Sequence, residues 1–74
     1  MAQVKAHITG TVWKIEVKVG DAVAEGQTVV VLESMKMEIA IEAPEAGVVL
    51  EVLVAEGRAV APGQPLLTLE KGQP

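Results

Sequence analysis

The feature that most constrains this chain is that it repeats itself. Shifted by 37 residues, it aligns with itself without a gap: Ala6 meets Ala43, Gly10 meets Gly47, Val12 meets Val49, Val17 meets Val54 and Gly20 meets Gly57. Ala22, Val23 and Ala24 then meet Ala59, Val60 and Ala61; Gly26 and Gln27 meet Gly63 and Gln64; Leu32 and Glu33 meet Leu69 and Glu70. That is 12 identities over the 28 positions from Ala6 to Glu33. An internal repeat outranks local propensity as a guide to architecture, because each copy must be one structural unit that its neighbour completes.

The unit reads as β-structure. Valine is abundant, Phe and Tyr are absent, and seven glycines with four prolines punctuate the chain. The stretch TVWKIEVKV, Thr11 to Val19, alternates with a period of two and predicts a half-buried strand, with Trp13, Ile15, Val17 and Val19 on its apolar face. In the second copy Leu50, Val52 and Val54 take the places of Trp13, Ile15 and Val17. Apolar runs at Thr28–Leu32 and Val48–Val54 predict further strands, and no segment supports a helix of useful length. The repeated glycines fit positions that need φ > 0 or a close backbone approach. One unit cannot cover its own apolar face, whereas two related by a quasi-twofold axis can, so the expected fold is an all-β, flattened sandwich or barrel of two quasi-symmetric halves.

Length and charge bound what such a molecule does. Residues 1–74 are expected to form a single domain, small enough to bury only about 60% of its unfolded surface. Without cysteine there is no disulfide or thiolate metal site, and the lone His7 reads as a satisfied or solvated side chain. A formal net charge of -4 argues against nucleic acid and towards protein partners. No apolar run approaches the ~20 residues of a membrane span, and the start of the chain lacks a long h-region. A cytoplasmic protein, monomeric when isolated, is the expectation.

The junction between the two units is the unusual place. Unit one ends near Glu33, and unit two begins near Ile39, where IAIEA corresponds to AQVKA at Ala2–Ala6. Ser34 to Glu38 therefore has no repeat counterpart except the chain ends. The chain has to turn sharply there, yet the segment holds no Gly, Asn, Asp or Pro. A two-residue type I′ turn would hold non-glycine residues at φ > 0, at about 1 kcal/mol or more each. The bland alternative is a strand with two inward methionines and a solvated lysine. On a projecting hairpin, however, Met35 and Met37 cannot both enter a core, and Lys36 is lifted clear. Lys5, Lys14, Lys18 and Lys71 read as solvated strand-face or terminal side chains. Nothing around Lys36 suggests a general base or Schiff-base site: Glu33 and Glu38 flank it, and no catalytic triad or phosphate loop occurs elsewhere. An amine on a rigid post is instead suited to acylation by a partner, which converts the ammonium to a neutral amide.

These residues resemble a known family. ESMKME, Glu33 to Glu38, is similar to the attachment motif of biotinyl domains, the biotin carboxyl carrier modules of biotin-dependent carboxylases. WKIEVKVGDAVAEGQ and APEAGVVLEVLVAEGRAVAPGQPLLTLE look like the rest of the biotinyl/lipoyl family, so the resemblance spans nearly the whole chain. It is greatest to small bacterial biotin/lipoyl attachment proteins, which share the Trp13-Lys14 pattern. The resemblance implies a barrel-sandwich hybrid with four strands in each half. It implies that Lys36 is biotinylated by a biotin protein ligase, with Met35 and Met37 as the flanking recognition residues. The attached ring would then carry a carboxyl group between biotin carboxylase and carboxyltransferase sites. The protein would be a carrier and not itself an enzyme.

Two departures qualify the match. Ala6-His7-Ile8-Thr9-Gly10 stands where the family commonly has Ala-Pro-x-x-Gly, a pattern the second unit keeps at Ala43–Gly47. The gapless repeat leaves no room for a thumb insertion, which favours a thumbless stand-alone carrier or an excised C-terminal domain. The alternatives are a lipoyl carrier of the 2-oxoacid dehydrogenase type, with lipoate on the same lysine, and an unmodified barrel-sandwich interaction module. Lipoyl domains usually carry Asp-Lys-Ala at the turn, which Met35-Lys36-Met37 does not match. Modification by both groups also stays open.

Overall fold

A computed structural model describes residues 2–71. It contains eight strands and, among the described residues, no helix. The strands are β1 (Ala2–Lys5), β2 (Gly10–Ile15), β3 (Ala22–Val23), β4 (Thr28–Ser34), β5 (Met37–Glu42), β6 (Gly47–Val52), β7 (Ala59–Val60) and β8 (Pro65–Lys71). They form two four-stranded antiparallel sheets, ordered β1-β8-β6-β3 and β5-β4-β2-β7.

The repeat is exact in register. Leu32 pairs with Ile39 in the β4–β5 hairpin, and their counterparts Leu69 and Ala2 pair between β8 and β1. The turn after β4 thus corresponds to the gap between the chain ends, as the repeat predicts. Neither sheet, however, is a single unit. Each takes its two central strands from one half and its two edge strands from the other, so the halves interlock. Their main chains are laced reciprocally. The Val12 N–H donates to the Arg58 carbonyl at 2.8 Å and the Val12 carbonyl accepts from the Gly57 N–H at 2.8 Å. Val49 makes the equivalent bonds with Asp21 and Gly20, at 2.9 and 2.8 Å.

Among the described residues, fifteen apolar side chains form the core. Fourteen of them are seven repeat pairs: Val4/Ile41, Ala6/Ala43, Val12/Val49, Val23/Val60, Val29/Leu66, Val30/Leu67 and Leu32/Leu69. The fifteenth, Val17, has its counterpart Val54 half-buried against the same cluster. Burying each Val or Leu contributes about 1.5–3 kcal/mol, so the symmetric set is the main source of stability.

One expectation fails here. The strand read as Thr11–Val19 ends at Ile15, and only half of its expected apolar face turns inward: Val17 is buried and Ile15 packs against the core, whereas Trp13 is 50% exposed and Val19 62%. The cause is a β-bulge. Val12 pairs with Leu32 and Lys14 with Val31, leaving Trp13 as the extra residue, so Val12 points into the core and Trp13 does not. The same register shift falls between Val49 and Glu51, which turns Leu50 out as well. The glycine that opens each of these strands is required by space. A Cβ at Gly10 would lie 2.7 Å from the Glu33 carbonyl oxygen, and one at Gly47 would collide with the carbonyl oxygen of Glu70.

Candidate functional site

β4 and β5 are joined by two residues, Met35 and Lys36, with Ser34 and Met37 as the last pair of the ladder. Both turn residues have positive φ, 52° and 65°. Among the described residues they are the only non-glycine residues in that region; every other positive φ belongs to glycine. This is the signature of a type I′ turn, whose twist matches the flanking strands but which normally uses Asn-Gly. Holding two bulky residues there costs about 1–3 kcal/mol each. Such strain persists only where the surroundings impose it. Six pairs from Thr28–Glu42 to Ser34–Met37 do so, among them the inward pairs Leu32–Ile39 and Val30–Ile41. A further tie comes from the Ser34 hydroxyl, which donates a 2.9 Å hydrogen bond to the Thr9 carbonyl in the β1–β2 loop.

The tip is open. Met35 is 92% exposed, Met37 is 62% exposed, and Lys36 between them is exposed too. The two methionines therefore stand outside the core, on either side of the lysine. Lys5, Lys14, Lys18 and Lys71 are also exposed, but each lies on a strand, in a longer loop or at a strand end and not on a strained turn. A primary amine so presented can reach into an active site of another protein, and no neighbouring side chain has to move first.

Two other places on the surface differ from their surroundings. A cleft of about 280 Å³ lies between the edge strands β1 and β5, lined by Gln3, Val4, Lys5, His7, Glu42 and Pro44. His7 is exposed, and among the described residues no group of His, Cys, Asp or Glu is placed to hold a metal ion. The alternation of TVWKIEVKV hid a second feature, the outward-facing Trp13. Its only sequence signal was that Val12, and not Trp13, is identical between the two units.

Two interlocked four-stranded antiparallel sheets make the fold a barrel-sandwich hybrid, with Lys36 at the tip of a tight, strained hairpin. The sequence profile of the family described as "Biotin-requiring enzyme" matches residues 1–69, and the chain belongs to this biotinyl/lipoyl family. Among individual proteins, it is 50% identical over 46 residues to the biotin/lipoyl attachment protein of Bacillus subtilis, covering 62% of this chain and 63% of that one. It is 61% identical over 36 residues to the methylmalonyl-CoA carboxyltransferase 1.3S subunit of Propionibacterium freudenreichii, covering 49% and 29%. A solved single-chain, multi-domain long-chain acyl-CoA carboxylase superposes with a TM-score of 0.90 at 35% identity, over 96% of this chain and 7% of that one. The urea carboxylase of Kluyveromyces lactis gives 0.88 at 30%, over 93% and 6%. The matched segment thus spans under two thirds of the Bacillus relative and a small part of the large carboxylases.

Proposed function

We infer that the chain is a biotin carrier of a biotin-dependent carboxylase, and that Lys36 is the attachment residue. The observation that carries this reading is the turn itself: Met35 and Lys36 held at positive φ where glycine would cost less, with the amine exposed between two exposed methionines. A turn kept against its own conformational preference, in a family described as biotin-requiring, points to the lysine as the group under selection.

The residues fit an acyl-accepting role. The deprotonated ε-amine of Lys36 attacks the acyl carbon of biotin activated as biotinyl-adenylate in a biotin protein ligase. An amide N–C bond forms, AMP leaves with the bonding pair, and the amine gives up a proton. Met35 and Met37 offer soft apolar contacts on both sides of the amine, suited to more than one partner surface. Once attached, biotin supplies a ring that carries a carboxyl group between a biotin carboxylase and a carboxyltransferase. The chain's own contribution is positional: a stiff hairpin confines the end of the arm and keeps its effective concentration high at both sites. The chain acts as a carrier, monomeric when isolated and cytoplasmic; no described helix is long and apolar enough to cross a membrane.

The name of the Bacillus relative keeps lipoate as the second reading. Incubating the chain with its host's biotin protein ligase, biotin and ATP, then probing with avidin and mapping the labelled peptide, tests the proposal. Label on the peptide containing Lys36, lost in Lys36→Arg, supports it. Lipoyl labelling alone, or label at Lys14 or Lys18, defeats it.

A further inference from the structure

We propose that the outer face of the β5-β4-β2-β7 sheet around Trp13 is a docking surface for the enzyme that carboxylates the Lys36-borne group; the inference rests on the biotin-carrier reading above.

The bulge in β2 sets Trp13 and Lys14 together opposite Val31, and Val31 pairs with Ala40 of β5. Neither Trp13, Val31 nor Ala40 belongs to the core or packs against it. They form a row across the outside of the sheet that carries the lysine hairpin. The repeat supplies an internal control. The equivalent row on the other sheet is Leu50, Thr68 and Gln3, built on the same bulge and the same pairing. The backbone therefore does not require an indole or three apolar residues in a row here: Leu50, 38% exposed, stands in the place of Trp13, while the buried Thr68 stands in that of Val31 and Gln3 in that of Ala40. The one tryptophan of the chain is half exposed on the face nearer Lys36.

Charge beside the row says what kind of surface covers it. Glu33 and Glu38 face each other directly across β4 and β5, and both are exposed. Like charges placed directly opposite destabilise a ladder. A partner presenting Lys or Arg there would relieve the repulsion, while Lys14 marks the other flank of the row. The occupant is thus a protein with an apolar contact for the indole and a basic rim towards the hairpin. A half-exposed tryptophan, a half-buried valine and an alanine fall well short of the ~800 Å² per partner of a stable interface. That rules against a second copy of the chain and suits a partner engaged briefly and released.

Distance separates the ligase from an enzyme that works on the carried ring, of which the carboxylase is the one proposed. Val31 stands three residues before the end of β4, so at ~3.3 Å per residue the row lies about 10 Å back from the turn, and the amine stands further out on its side chain. A ligase reacts at the amine and has to enclose the tip. An enzyme working at the far end of the acylated arm holds the tip at a distance, so the flank of the hairpin sheet is free for its contact.

The test compares Trp13→Gln with Leu50→Gln, the same repeat position on the two sheets. Each is biotinylated, and then used as carrier substrate for the host's biotin carboxylase with ATP and bicarbonate. Trp13→Gln is expected to raise KM for the carrier about tenfold with kcat little changed. Leu50→Gln should leave both constants near native, and the ligase should label all three proteins at similar rates. Binding of the carboxylase should also shift the emission of Trp13 to the blue. Equal KM values for the two variants on a biotinylated chain overturn the docking proposal alone. So does a slower ligation of Trp13→Gln with carboxylation intact, which would assign the face to the ligase. A native chain that takes no biotin overturns the carrier reading, and the docking proposal with it.

Discussion

The Ser34 hydroxyl donates a 2.9 Å hydrogen bond to the Thr9 carbonyl, tying the base of the lysine hairpin to the loop that connects β1 and β2. The bond joins the strained turn to the body of the molecule from outside the β4–β5 ladder. Ser34→Ala removes the donor at a half-buried position and is expected to lower stability by about 0.5–1.5 kcal/mol. Urea denaturation of native and variant protein measures this. The same variant should still accept biotin, since the ladder itself remains.

The turn makes a sharper statement, because its stability and its proposed function pull in opposite directions. Met35→Asn with Lys36→Gly installs the sequence that a type I′ turn prefers, in place of residues at φ 52° and 65°. The double variant is expected to be more stable than the native chain by about 1–3 kcal/mol. It should be inert to the ligase. Loss of stability in this variant would show that the turn is not strained in the way described here.

Glycine substitutions should separate shortage of space from backbone conformation. Gly10→Ala drives a Cβ to 2.7 Å from the Glu33 carbonyl oxygen, and Gly47→Ala drives one onto that of Glu70. Both oxygens belong to backbone and cannot swing aside, so each variant is expected to lose about 1–3 kcal/mol or more. Gly20→Ala meets nothing within 4 Å and has only its φ of 95° to pay for, about 1 kcal/mol. Thermal melts of the three variants should rank Gly20→Ala as the mildest.

The interlocked sheets predict that neither half folds alone. β4 and β2 complete their sheet only with β5 and β7, which come from the other half of the chain. A peptide of residues 1–36 is expected to be unfolded by circular dichroism and by amide dispersion in NMR. Mixed with residues 37–74, it should recover β-structure. A folded first half would show that the exchange of edge strands is not needed for stability.

Much of this architecture was legible in the sequence because symmetry makes errors visible. The repeat marked Val12/Val49 and Leu32/Leu69 as equivalent positions, all four of which the structure buries, and the junction at Ser34–Glu38 announced a turn made without turn residues. The orientation of Trp13 was not legible. A bulge changes the phase of an alternating strand without altering its composition, so TVWKIEVKV reads as one continuous face although its register breaks between Val12 and Lys14. The exchange of strands between the two sheets was hidden for a related reason: the repeat shows what the unit is, but not which copy supplies each edge. The two-residue strands β3 and β7 lie inside what reads as glycine-rich turn, and they exist because the other half offers them a partner.

Everything proposed for this chain depends on Lys36 being a biotin acceptor. The intact mass of the chain, purified from cells that contain its own ligase, tests this most directly when read beside Lys36→Arg. One biotinyl group per chain is expected on the native protein, located by fragmentation at Lys36, and none on the variant. An unmodified native chain in the presence of an active ligase, a lipoyl mass in place of the biotinyl one, or a biotinyl group that survives in Lys36→Arg would contradict it.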